Sequence, residues 1–111
     1  MQLIHFLFPF SSFQLDLRVN LIRQIHCDSF ESLPKLQRLS LAGNFLNRTE
    51  ECVWNGLRQL KELDLGWNEF RTVENSFSNI ASTLELLDFR HNINLNMVGI
   101  LNLQQQSPLF F

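Results

Sequence analysis

Tyrosine is absent from this 111-residue chain, and cysteine occurs only twice, at Cys27 and Cys52. Two cysteines exclude a disulfide framework or a four-thiolate zinc site. Charged residues make up only 18%, with nine Lys plus Arg against eleven Asp plus Glu. A net charge of −2 lacks the basic field that a phosphate backbone needs, which excludes nucleic acid as the partner. No apolar run reaches the roughly 20 residues of a membrane-spanning helix. The longest, Leu3–Phe10, has no preceding Lys or Arg and runs into Ser11-Ser12-Phe13, which makes it a poor signal peptide. What the chain does have is apolar mass. Hydrophobic residues reach 45% and include eleven Phe, enough to bury the core of one domain.

Catalytic chemistry finds no footing either. His26 adjoins Cys27, but a nucleophile and its base must face each other, with a third group to orient the base. His5, His26 and His91 are too far apart for a metal site, and the four glycines form no phosphate-cradling motif. Asp64 and Asp88 could face each other as a carboxylate pair, yet an open surface gives no enclosed pocket to shift their titration. The expectation is a protein without enzymatic activity, cofactor or metal.

The informative feature is a period. Asn20, Asn44, Asn68 and Asn92 are each 24 residues apart. Three before each lies Leu17, Leu41, Leu65 or Phe89, and five before lies Leu15, Leu39, Leu63 or Leu87. Two past each lies Ile22, Leu46, Phe70 or Asn94. Leu36–Leu46 and Leu60–Phe70 both read L-x-x-L-x-L-x-x-N-x-(L/F). An aromatic stands ten residues past the first two asparagines, at Phe30 and Trp54, and Phe77 comes one place early. Leu33, Leu57 and Ala81 stand thirteen past.

This pattern resembles the leucine-rich repeat family. The resemblance implies an α/β repeat fold, a solenoid with short parallel strands on its concave side and loops or short helical turns on its convex side. Leu-x-Leu alternates with period two, so each core is a short strand with one buried face. Asn ends the strand by bonding backbone groups as the chain turns, and stacked turns make Asn20, Asn44, Asn68 and Asn92 a structural ladder. No repeat can bury its own leucines, so neighbours must stack. Residues 12–104 are read as four repeats, 1–11 as the end of a preceding repeat or an improvised cap, and 105–111 as the start of a fifth or a tail. Terminal repeats without polar caps leave apolar edges, so the expectation is a segment of a longer solenoid.

The 24-residue length resembles the typical class of the family, as in Toll-like receptors and small proteoglycans. That implies an extracellular or cell-surface setting and a protein partner on the concave face. The expected function is ligand recognition in a receptor or secreted binding protein. The alternatives are a structural spacer within a longer solenoid and a cytoplasmic scaffold or adaptor.

The columns flanking the inward leucines supply the candidate partner residues: Arg38, Glu62, Asp64, Trp67, Asp88, Arg90 and His91. The column Arg18, Ala42, Gly66, Arg90 is also expected to be exposed. Asp16, Asp64 and Asp88 are either the ordinary text of the repeat or a polar stripe for a basic partner. Trp67 is either a binding hot spot or packed on His91 and Arg90 of the next turn. Asn47-Arg48-Thr49 is a glycosylation acceptor on an edge loop. Cys27 and Cys52, one repeat plus one residue apart, fall at nearly the same place on adjacent turns. A disulfide and two buried thiols both fit that placement.

Overall fold

The computed structural model describes residues 13–73, 75–96 and 98. The expectations for Leu3–Phe10, for 1–11 and for 105–111 lie outside those residues. Among the described residues, four strands form one parallel sheet in chain order: β1 (Gln14–Asp16), β2 (Arg38–Ser40), β3 (Glu62–Asp64) and β4 (Leu86–Asp88). Leu15, Leu39, Leu63 and Leu87 are register partners, so the 24-residue period of the sequence is the register of the sheet.

The ladder continues beyond the strands with the same period. Leu17, Leu41 and Leu65 donate their N–H groups to the carbonyls of Ser40, Asp64 and Asp88 at 2.8–2.9 Å. Val19, Gly43 and Trp67 donate likewise to Ala42, Gly66 and Arg90 at 2.9–3.0 Å. The chain then reverses sense: Phe45 and Glu69 donate to Ile22 and Leu46 of the preceding turn. That reversal is where the asparagines act. The Asn44 Nδ2 donates to the Leu41 and Leu17 carbonyls, and its Oδ1 accepts from the Ile22 N–H at 3.1 Å. Asn68 repeats this with Leu65, Leu41 and Leu46, and Asn92 with Phe89, Leu65 and Phe70. Each buried amide therefore joins two turns through backbone groups that would otherwise lack partners where the strand pairing ends.

Opposite the sheet, the convex side carries two short 3-10 turns, Glu51–Trp54 and Asn75–Phe77. Phe30, Trp54 and Phe77 stack face to face through successive turns, with centroids 6.1 and 5.5 Å apart. Together with the leucines they make one continuous core. Here the spacing misleads by one residue. Leu33 and Leu57 donate to the carbonyl three residues back, at Phe30 and Trp54, and Ile80 does the same to Phe77. Ile80, not Ala81, thus occupies the position of Leu33 and Leu57. The slip is taken up before Leu84, whose N–H reaches four residues back to Ile80 rather than three. Ala81 is the extra residue, and it is buried.

Gly56 marks where two convex loops touch. A Cβ there would lie 2.6 Å from the Phe30 carbonyl oxygen and 2.7 Å from the Glu31 Cα. Only a residue without Cβ lets the second turn settle on the first.

Candidate binding face

The concave face is built from the outward residues of the four strands. Its first column is Gln14, Arg38, Glu62 and Leu86, in register on neighbouring strands. Arg38 and Glu62 form an ion pair across β2 and β3, with the guanidinium well exposed. Leu86 ends the column as a partly exposed apolar side chain.

The second column ends each strand. Asp16, Asp64 and Asp88 each turn an Oδ1 onto the backbone N–H two residues on, at Arg18, Gly66 and Arg90, with N···O distances of 2.8–3.0 Å. The carboxylate holds the chain as it leaves the strand, which is why aspartate suits this place. In the outer turns the next residue but one is arginine, and its guanidinium grips the same carboxylate with two nitrogens, Arg18 on Asp16 and Arg90 on Asp88. The hydrogen bond from Arg90 holds the Asp88 carboxyl below its ordinary range, against the opposing effect of partial burial. Arg18 does the same for the more exposed Asp16.

Asp64 differs. Its counterpart of the arginine is Gly66, and among the described residues no cation lies within ion-pair distance of it. Its nearest side-chain partner is the Ser40 hydroxyl, at 3.5 Å. The charge of Asp64 is felt by both Arg18 and Arg90 and raises the pKa of each, after the larger effect of its own aspartate. The face thus carries one open carboxylate at its centre between two neutralised pairs. A recess of about 290 Å³ runs along it, lined by Arg38, Glu62, Asp64, Leu86 and Asp88 among others.

The third column corrects an expectation. Arg18 and Arg90 are exposed, but Ala42 is only 8% exposed and Gly66 is buried. A Cβ on Gly66 would meet the Arg90 carbonyl at 3.1 Å and the Asp64 Oδ1 at 3.2 Å. The Asp64 carboxylate and the next turn close over this position, so it offers a partner no side chain.

The fourth column, just before each asparagine, is left-handed throughout: Val19 and Trp67 at φ 55°, His91 at 65° and Gly43 at 70°. Side chains with a Cβ pay for this conformation in steric energy, yet three of the four positions carry one. The turn projects them off the edge of the sheet. Trp67 stands 64% exposed. Its indole stacks on the His91 imidazole with centroids 4.0 Å apart and planes at 16°. Trp67 therefore packs on the next turn and still presents an open aromatic face. The left-handed conformation was hidden in the sequence, because Val, Trp and His give no local signal for positive φ; only Gly43 did.

Away from the face, Cys27 and Cys52 are joined as a disulfide, with Cα atoms 5.0 Å apart. Glu50 lies against them, and the three ligand atoms fall within 4.8 Å of one another. With both sulfurs bonded to each other, this donor set does not fit a metal ion. Asn47 is exposed on the loop past Asn44, while Thr49 is buried. His26 is exposed, so no catalytic pair forms with the bonded Cys27. No helix among the described residues is long and apolar enough to cross a membrane.

Comparison with known proteins agrees with this architecture. The family profile described as "Leucine rich repeat" matches residues 14–70. Toll-like receptor 4 of Sus scrofa is 39% identical over 72 residues, which cover 63% of this chain and 8% of the receptor. Epiphycan of Gallus gallus is 35% identical over 85 residues, covering 77% of this chain and 25% of the relative. Human epiphycan is 32% identical over 75 residues, covering 68% and 22%. The chain thus spans a quarter or less of the length of these relatives. With a matching profile over half its length and a four-turn parallel sheet in 24-residue register, the chain belongs to the leucine-rich repeat family.

Proposed function

We propose that this chain is a protein-binding stretch of a leucine-rich repeat arc, and that its concave face is the contact surface. The observation that carries this reading is the pairing of an open carboxylate, Asp64, with an exposed aromatic platform, Trp67 on His91. An unpaired charge and an exposed tryptophan three residues apart on one turn are the usual makings of an interface centre. Arg38, Glu62, Asp88 and Arg90 form the polar surround. Their internal ion pairs favour a partner that brings an exposed cation to Asp64.

The setting proposed is extracellular or cell-surface, in a receptor or a secreted binding protein. The name of one relative includes "receptor". The Cys27–Cys52 disulfide supports an oxidising compartment, and the exposed Asn47 fits use of the Asn47-Arg48-Thr49 acceptor. Binding rather than catalysis is the role this open face supports.

The test is a binding screen of the 111-residue chain against an array of secreted and ectodomain proteins. A captured partner should lose at least tenfold in affinity with Trp67→Ala and with Asp64→Asn, while both variants stay folded and Trp67→Ala lowers the melting temperature by only the few degrees that loss of the His91 stack implies. Partners that ignore both substitutions would remove the concave face from the contact.

A further inference from the structure

Just past the strand-ending asparagines, the flank of the arc holds two adjoining recesses. One, of about 260 Å³, is lined by Asn47, Arg48, Thr49, Arg71, Thr72 and Ser76, with Phe70 behind. The other, of about 520 Å³, shares Asn47, Phe70 and Arg71 with the first and extends to Trp67, His91 and Asn94. No role in the concave contact has been given to Arg48 or Arg71.

The smaller recess has an unusual lining. Two arginines, Arg48 and Arg71, border it, and among the described residues neither has a carboxylate within ion-pair distance. Among the described residues no carboxylate lines it; Glu69 lines only the larger recess. The rest of its polar wall is hydroxyl and amide. Thr49 borders the recess, but its hydroxyl is buried beneath it, without a partner among the described residues. Arg18, Arg38 and Arg90, by contrast, are each held by an acidic neighbour; what sets Arg48 and Arg71 apart from the chain's other cations without such a neighbour is that the two border one recess. Two cations without an ion-pair partner among the described residues, at one concavity beside hydroxyl and amide groups able to donate, suit a bidentate oxyanion.

The larger recess supplies the second half. The stacked Trp67 and His91 offer a flat, exposed aromatic surface beside the Asn94 and Asn47 amides. Such a surface accepts the C–H face of a saccharide ring, while amides serve its hydroxyls. Arg71 borders both recesses and links the two chemistries.

We propose that this flank is a binding site for a saccharide bearing a sulfate or phosphate ester. Arg48, Arg71, Thr72 and Ser76 hold the ester, and the Trp67–His91 platform carries the ring. The site adjoins the concave contact and shares the Trp67–His91 platform with it, but Arg48 and Arg71 lie off the strands and belong to the flank alone.

The experiment is a calorimetric titration of the 111-residue chain, made without glycan, with glucose 6-sulfate, glucose 6-phosphate, glucose and inorganic sulfate. Both esters should bind at least tenfold more tightly than glucose and than inorganic sulfate. Arg48→Gln and Arg71→Gln should each reduce ester binding about tenfold, with circular dichroism unchanged. Equal affinity for glucose and its esters would overturn the anion site, as would undiminished ester binding in the doubly substituted chain. Inorganic sulfate binding as tightly as the sugar ester would overturn the saccharide part. Partner binding on the concave face should survive Arg48→Gln and Arg71→Gln, so the two readings fail separately.

Discussion

Asp88 and Arg90 stand two residues apart, yet they set one another's charge state. The carboxylate accepts hydrogen bonds from the Arg90 backbone N–H and from two of its guanidinium nitrogens, Nε and Nη2, and its pKa falls below the ordinary 3.8. A depressed folded-state pKa gives stability that is complete above the ordinary value and is lost as pH falls through the folded one. A carbon-detected NMR titration should therefore place the Asp88 midpoint below 3.8, and Arg90→Gln should move it upward. An unmoved midpoint would show that the hydrogen bond from Arg90 is not the cause. Val19 tests a different residue-level cost. It is β-branched, 82% exposed and held at φ 55°. The left-handed region costs an L-residue about 1–2 kcal/mol, and glycine gives back about 0.5–1 kcal/mol through a freer unfolded chain. Val19→Gly should therefore gain on the order of 0.5 kcal/mol and raise the melting temperature slightly. Trp67→Gly relieves the same strain but loses the stack on His91, worth about 0.5–1.5 kcal/mol, and should not raise it.

At the scale of the element, the asparagines separate what was legible from what was not. Their 24-residue spacing, with leucines at fixed offsets, foretold the register of every strand pair, because a period-two pattern fixes which side chain faces the core. That the asparagines would bond backbone groups and link turns was legible; which groups they reach, a carbonyl and an N–H of the preceding turn, was not. The same limit hid the aspartate turns, the burial of Ala42 and Gly66, and the flank recesses, all of which depend on where the chain bends. Phe77, one place early, was visible, but only the hydrogen bonds show that Ile80 follows it and Ala81 becomes the extra residue. The ladder can be tested by position. Asn68 is buried and binds the Leu46 N–H and three carbonyls, whereas among the described residues the exposed Asn20 donates only to Leu17 and Arg18. A buried group left unpaired costs about 1–3 kcal/mol. Asn68→Ala should lower the unfolding free energy by about 3 kcal/mol in urea, and Asn20→Ala by about 1 kcal/mol or less. Equal losses would mean that the amides act locally and do not tie turns together.

Across the whole molecule, stability is distributed turn by turn. Strands β1 to β4 pair only with their sequence neighbours, so each turn depends on the one beside it rather than on a shared centre. A single cross-link in such an array should act near its own place. Cys27 and Cys52 are 25 residues apart and join the first convex loop to the second. By loop-closure entropy, a bridge of this span contributes about 3–4 kcal/mol. In a domain with one cooperative core, losing it would weaken every strand alike. In a stacked array the loss should concentrate in the turns it joins, while those held by Asn68, Asn92 and the Trp54–Phe77 stack keep their own contacts. The measurement is amide hydrogen exchange on the Cys27→Ser/Cys52→Ser chain. Amides of β1 and β2 should exchange at least tenfold faster than in the parent, and those of β3 and β4 much less so. A uniform acceleration would instead make the four turns one cooperative unit. The concave face would then respond as a whole to any change in its convex side.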